Sequence, residues 1–432
     1  MNFQEAVDYL YSVGHEILAM KLGLRTVTAL AHALNDPQLS YPAVHIAGTN
    51  GKGSTSAMVE AIARAAGFRV GLFTSPHLVS ITERIRLDGE EISPDDFARH
   101  ATEVRNTGER LVAEDILAAV PTFFEQITVI AYRYFAEQGI DLAVLEVGMG
   151  GRLDATNICR PIVTAITPIG LDHQQYLGDT IPEIAREKAG IIKPGVPVVV
   201  APQEAEAREV ILDRARALGA PAIEADGSVE IKRLTHDMRQ SFEVVTPSQR
   251  YAATLSLRGQ HQIENALTAI QIIEQLVAQG WKIDRSAMIE GLETTVWPGR
   301  LELLRTSEGQ APLLLDGAHN EAGAMVLRGF LEDQAAGRPV TLIFGVMRDK
   351  DAAAMAGILF PTAANVILTG IDTPRAADPF ELFADDRSLR RARTIQEALD
   401  LARRLTPPDG LIVVCGSLYL VGEVKRLKGN PT

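Results

Sequence analysis

Ala43-Val44-His45-Ile46-Ala47-Gly48-Thr49-Asn50-Gly51-Lys52-Gly53-Ser54-Thr55 decides how the chain is read. A short apolar run, Ala43–Ala47, has the character of a buried strand, and a helical pattern begins after the glycines, over 55–66. A strand that stops at glycines and restarts as a helix is a place to hold phosphate. Glycine lets backbone N–H groups approach closely, the helix N-terminus adds a partial positive charge, and Lys52 adds a full one. The strict Walker spacing is not met, because Ile46 stands where its first glycine belongs and Gly53 follows the lysine in place of Ser or Thr. The loop is therefore a variant, with Gly48, Thr49, Asn50, Gly51, Lys52, Gly53 and Ser54 as candidate nucleotide-binding residues. A strand–helix turn that binds nothing is the alternative.

Outward from this loop the same rhythm repeats. Val70–Phe73 is a second strand, and the helical stretch Phe123–Gln138 leads into a buried strand at 142–147; 162–167 and 196–200 are further strands. Short apolar runs alternating with longer helical patterns predict an α/β domain with a mostly parallel sheet. Residues 232–256 alternate more and carry more Thr, which predicts a small antiparallel β insert, with a helix following at 262–279. After Pro298 a second rhythm begins, with strands at Leu313–Leu315, 341–344, 366–369 and Leu411–Cys415 and helices between them. It predicts a smaller doubly wound α/β domain. Trp297-Pro298-Gly299 breaks the helical pattern, so the domains are expected to be 1–297 and 298–432.

The bulk properties narrow the function. The 432 residues exceed one ordinary core, and 46% hydrophobic with 22% charged residues gives ample interior. A formal net charge of −13 argues against a broad nucleic-acid surface. Cys159 and Cys415 are far apart and have no metal-ligand spacing, so a disulfide scaffold is not expected and a reducing cytoplasm is. The start has no basic region followed by an apolar one, and no run of about 18 apolar residues predicts a membrane span.

The Gly-Thr-Asn-Gly-Lys wording resembles the Mur ligase superfamily of amide-forming ATPases, and Gly53-Ser54 resembles its folate branch, the folylpolyglutamate and dihydrofolate synthases. Further motifs of that branch follow in order: Thr74-Ser75-Pro76-His77-Leu78, Glu146-Val147-Gly148-Met149-Gly150-Gly151-Arg152, Asp154-Ala155-Thr156-Asn157 and Leu171-Asp172-His173. After them come Glu187-Lys188-Ala189-Gly190, Asp316-Gly317-Ala318-His319-Asn320 and Gly416-Ser417-Leu418-Tyr419. The resemblance covers nearly the whole chain.

It implies an ATP-dependent ligase that adds L-glutamate to dihydropteroate, to the glutamate tail of reduced folates, or to both, through an acyl phosphate. The first domain would hold ATP and the folate, and the second would be the glutamate-ligase domain. Two Mg²⁺ sites are implied, with Ser75, Glu146 and His173 as ligands. A carboxylate ending a buried strand, as Glu146 does, suits a bound cation; His173 alone reads as an ordinary structural histidine. Lys188 would carry a carbamate. Asn265, Arg300 and Asp316 would contact ATP, with Lys52, Lys188, Asp316 and His319 as catalytic residues; Asn265 could instead cap its helix, and Arg300 could be a surface residue after the linker. Thr122, Phe123, Phe124, Glu125, Leu153, Asp154 and Ala155 would line the dihydropteroate pocket, although two aromatics such as Phe123 and Phe124, read alone, are more often core. A monomer is expected, with no nucleic acid and no membrane. The rivals are a synthase of tails only, a cell-wall Mur ligase, and a nucleotide-binding regulator without ligase activity.

Overall fold

The computed structural model describes residues 1–14, 23–225, 228–234, 238–304 and 309–429. They form two compact units. The first comprises Met1–Lys232, Phe242–Thr254 and Ile263–Thr295; the second comprises Arg233–Ser241, Leu255–Gln262 and Val296–Thr432.

The first unit is built on eight strands: β1 (Ala43–Ala47), β2 (Val70–Phe73), β3 (Ile85–Leu87), β4 (Glu90–Glu91), β5 (Leu142–Glu146), β6 (Pro161–Ile166), β7 (Val198–Val200) and β8 (Ala222–Glu224). Their order is β4-β3-β2-β5-β1-β6-β7-β8. From β2 to β8 every pairing is parallel, and β3 and β4 add an antiparallel edge. The inner parallel strands are buried and read as apolar runs, whereas β8 at the edge is largely exposed. The antiparallel edge was not foreseen, because β3 and β4 are too short to show a period. One core contains Phe73, Phe97, Phe123, Tyr132 and Phe135; another contains Ile166, Ile184, Ile191, Val198 and Ile211.

The helix after β1 runs Lys52–Ala65 and starts three residues before the apolar pattern does. Gly51 caps it at φ 86°, a left-handed conformation that favours glycine. The helix is buried over most of its length. It packs against the helix Arg285–Thr294, where a Cβ on Gly291 would overlap the Ile62 backbone.

A three-stranded sheet has the order β11-β10-β9, from β9 (Ser228–Leu234), β10 (Gln240–Val245) and β11 (Arg250–Thr254). Thr246 N–H donates to Gln249 O and Leu255 N–H to Gln240 O, so β10 and β11 run antiparallel, as the Thr-rich alternation predicts. Residues 235–237 of that expected insert lie outside the described residues.

The second unit holds six strands: β12 (Glu302–Leu304), β13 (Leu313–Leu315), β14 (Val340–Phe344), β15 (Asn365–Thr369), β16 (Arg390–Ala392) and β17 (Leu411–Cys415). Their order is β12-β13-β17-β14-β15-β16, parallel except for β12. The four expected strands are its centre. The two edge strands escaped notice because Arg390-Arg391 and Glu302 interrupt any apolar run.

Candidate active site

In the first unit the loops that follow the carboxyl ends of β1, β2, β5 and β6 meet. Parallel sheets bind ligands at that edge. Ile46 is in register with Glu146 and Ala47 with Ile166, so the loop after β1 lies between the ends of β5 and β6. A Cβ on Gly48 would overlap Thr167 Oγ1, and one on Gly51 would overlap Asn265 Oδ1. Both glycines are thus required by close approach. The Thr49 and Asn50 amides both donate to Pro168 O, at 3.0 and 3.2 Å, and Thr49 Oγ1 donates to Gly170 O at 3.1 Å. These two amides hold the loop to the 168–173 segment, so the first-turn N–H groups of the helix are the ones that face an anion. Lys52 Nζ lies over the loop, donating to Gly48 O and Thr49 O at 3.1 Å each. Asn265 belongs to the helix His261–Ala278 beyond its first residue and is buried, so it lies against Gly51 and is not an N-cap.

Lys188 ends the helix Ile181–Lys188 and is 5% exposed. Its Nζ donates to Gly48 O at 2.8 Å, a bond that ties the two motifs together. Burial, with the nearby Lys52 charge, pulls its pKa down to about 7, against the opposing pull of Asp172 and Asp154. Gly151 allows this helix end to close on the glycine loop, since a Cβ there would come within 2.9 Å of the Glu187 and Lys188 carbonyls.

Glu146 is 4% exposed at the end of β5, and its Oε2 accepts the Ser75 N–H at 3.1 Å. His173 begins the loop helix after β6 in a left-handed conformation, and its N–H donates to Asp172 Oδ1. The structure thus joins Ser75 to Glu146 directly, while His173 is placed on the neighbouring loop. Among the described residues no cluster of three or more His, Cys, Asp or Glu could by itself hold a metal. The donor set still fits a hard cation, because a nearly buried carboxylate needs a positive partner and Mg²⁺ takes only part of its shell from protein.

Among the residues expected to line a substrate pocket, Thr122 caps the helix Phe123–Gln138. Its N–H and hydroxyl both donate to Glu125 Oε2, at 2.8 and 2.9 Å. The two aromatics part ways. Phe123 is 2% exposed, stacked on Tyr11 at 5.5 Å with the Arg84 guanidinium 5.3 Å from its ring centre, so it is core. Phe124 is half-buried and lies on Gly148, where a Cβ would overlap its ring. Arg84 Nε donates to His77 Nδ1 at 2.8 Å, which makes Nε2 the protonated nitrogen of a neutral ring, 3.2 Å from Tyr11 Oη. Tyr11 and Arg84 were not foreseen, since only tertiary contact joins them to His77.

Leu153 is half-buried, and Asp154 and Ala155 are buried. Asp154 closes the glycine loop, accepting Met149 N–H at 2.8 Å, Thr156 N–H at 3.0 Å and the Thr156 hydroxyl. Burial raises its pKa, and those bonds oppose the rise. His45 Nε2 lies 2.8 Å from Thr156 Oγ1. Burial, together with Lys193, drops the His45 pKa to about 3, so the ring is neutral. Because Thr156 gives its proton to a carboxylate, His45 donates to Thr156. His45 is thus a buried member of the site that its place inside a strand concealed.

The second unit has its own cluster at the end of β13. Asp316 is 8% exposed, with Oδ2 accepting Leu301 N–H and Oδ1 accepting Ala318 N–H, both at 2.9 Å. Burial raises its pKa, opposed by Arg300. His319 Nδ1 is 2.8 Å from Gly317 O, so Nδ1 carries the proton and a neutral ring has its lone pair on Nε2. A Cβ on Gly317 would overlap Arg300 Nη1, which places the guanidinium on the Asp316–Gly317 turn.

The Mur ligase middle domain model matches residues 46–273, and the Mur ligase glutamate ligase domain model matches residues 299–418. A dihydrofolate synthase/folylpolyglutamate synthase of Bacillus subtilis is 34% identical over 99% of this chain and 99% of its own. A Mycobacterium tuberculosis folylpolyglutamate synthase solved with ADP superposes with a TM-score of 0.91 at 32% identity, over 99% of this chain and 98% of that one. A folylpolyglutamate synthase complex with AMPPCP and folate superposes with a TM-score of 0.87 at 34% identity, over 99% of this chain and 100% of that one. The chain spans about half the length (50%) of one further relative, a probable bifunctional folylpolyglutamate synthase/dihydropteroate synthase of Haloferax volcanii, at 34% identity over 98% of this chain.

Proposed function

Because the chain belongs to the Mur ligase family, in its folylpolyglutamate and dihydrofolate synthase branch, we propose that this ATP-dependent glutamate ligase serves both dihydropteroate and the tail of reduced folates. The observation that carries the ligase reading is the convergence of Lys52 and Lys188 on Gly48 O, at the carboxyl edge of the parallel sheet.

The helix N-terminus and Lys52 bind the ATP phosphates and neutralise charge as the γ-phosphoryl group moves to the substrate carboxylate. The acyl phosphate so formed is attacked by the glutamate amine, and phosphate leaves. Asp316 or His319 takes up the amine proton. Ser75, Glu146 and His173 would hold magnesium, which when bound supplies further positive charge to the phosphates. Lys188, half neutral near pH 7, adds CO₂ through its amine to give a carbamate and one proton, turning a cation into an anion with two oxygens. Phe124, Thr122 and the Leu153-Asp154-Ala155 segment line the pterin side.

One chain supplies every residue invoked, so a monomer suffices. Among the described residues no helix is long and apolar enough to cross a membrane. ATP use and two free, buried cysteines fit the cytoplasm. The test is product mass spectrometry with dihydropteroate and tetrahydrofolate in parallel, each with ATP and L-glutamate. Both should gain a glutamyl mass. Gain by tetrahydrofolate alone would make this a synthase of tails only, and gain by neither would overturn the reading.

A further inference from the structure

Residues 299–302 of the second unit are held by a series of hydrogen bonds. Gly299 O accepts Gly317 N–H at 2.8 Å, and Leu301 N–H donates to Asp316 Oδ2 at 2.9 Å. Leu301 O accepts from Arg258 Nη1 at 3.5 Å. Gly299 N–H donates to Glu302 Oε2 at 2.8 Å, while the other oxygen of that carboxylate accepts Lys425 Nζ at 2.7 Å. The Glu302 and Lys425 side chains are 22% and 11% exposed, so the pair is partly shielded from water, unlike the surface pairs of this chain.

Between these anchors Leu301 is fully buried with φ at 44°. A branched side chain adopts left-handed backbone only where its surroundings enforce it. Here the enforcement is visible. The side chain is fixed in the core of the unit, its N–H is fixed on Asp316, and the Gly299 N–H two residues earlier is fixed on Glu302. Arg300 sits at the crest of this turn with its guanidinium on Gly317. Relaxing residue 301 would swing Arg300 off that turn and break the Asp316 bond together.

We propose that Glu302 and Lys425 are positioning residues for the nucleotide: they brace the Gly299–Leu301 turn and so hold Arg300 over Asp316–Gly317. The inference rests on the reading, implied by the family resemblance, that Arg300 contacts ATP, here through its phosphates. A guanidinium already oriented for a bidentate contact loses less freedom on binding than one on a loose linker. The brace joins the first strand of the unit to its last helix, Leu418–Lys428, 123 residues apart.

The test is steady-state kinetics of glutamate-dependent phosphate release in the full chain, with a reduced folate present. Lys425→Met should raise KM for ATP about tenfold with kcat changed less than about twofold, the mark of lost ground-state binding. Lys425→Arg should restore most of it. Glu302→Gln keeps an acceptor for Gly299 but lacks the charge, so it should give the same split, and it carries the comparison should Lys425→Met not fold. In an Arg300→Ala background Lys425→Met should add nothing further to KM. A lowered melting temperature with unchanged KM for ATP, or an effect that adds in full to Arg300→Ala, would overturn the proposal. If Arg300→Ala itself leaves KM for ATP unchanged, the reading of Arg300 fails with it, and that variant alone tells the two failures apart.

Discussion

The carboxyl edges of the two sheets solve opposite electrostatic problems. After β1, Lys52 and Lys188 point at the same carbonyl oxygen, and each ammonium lies in the field of the other. After β13, the buried Asp316 is matched on both oxygens by backbone N–H groups and has Arg300 beside it. In the first region two ammonium groups share one acceptor, and Asp172 and Asp154 offset their repulsion only in part, so an anion or deprotonation would relieve it. The second is balanced within itself. One edge is therefore shaped to be completed by its ligand, and the other to be ready before the ligand arrives.

Removing the charge that the ligand completes should have the largest effect. Lys52→Ala should cost on the order of 10²–10³ in ligation rate while leaving the fold intact, because its ammonium bonds only loop carbonyls. Near-normal turnover of the purified variant, with a wild-type circular dichroism spectrum, would sink the loop assignment.

Lys188 tests whether relief comes by deprotonation. Its folded pKa near 7 lies below the ordinary lysine value of 10.5. The unfolded chain therefore binds the extra proton between these values, so stability should rise with pH from about 7 to about 10 and level off outside that window. Lys188→Met should flatten the slope, as measured by denaturant unfolding at several pH values in CO₂-depleted buffer. A slope unchanged in the variant would place its source elsewhere. With ¹³CO₂ present, the wild type should show a carbamate carbon resonance at pH 8 that Lys188→Ala lacks, and Lys188→Ala should lose activity.

The smallest effect should come from the His45–Thr156–Asp154 relay of the first unit. Thr156→Val removes a buried hydroxyl between two partners and should cost about 1–3 kcal/mol of stability, whereas Thr156→Ser should cost less. Equal losses in the two variants would show that the methyl group, not the hydroxyl, matters there.

The parallel strands and the glycine loop were legible in the sequence because their evidence is local: an apolar run, a glycine, a lysine at a helix start. Glu146 and Asp316 were legible for the same reason, as acids ending apolar strands. Other features lie beyond a local pattern. Phe123 and Phe124 are adjacent and chemically alike, and only packing sends one to the core and the other to Gly148. Leu301 carries no mark of left-handed backbone, since its conformation is imposed by Glu302, Asp316 and the core around it. His45 reads as one polar residue in an apolar strand until Thr156, which is 111 residues away, is brought to it.

That distance has a consequence for the order in which the protein is made. Lys188 Nζ reaches Gly48 across 140 residues of chain, and β5 and β6, which flank β1, follow it by about a hundred residues. On a ribosome adding roughly 5–20 residues per second, the loop of Gly48 would emerge some 7–30 s before the lysine that touches it. The first functional segment to be synthesised is thus among the last to be finished, and until then its glycines and Lys52 are exposed on a sheet that has neither neighbour in place.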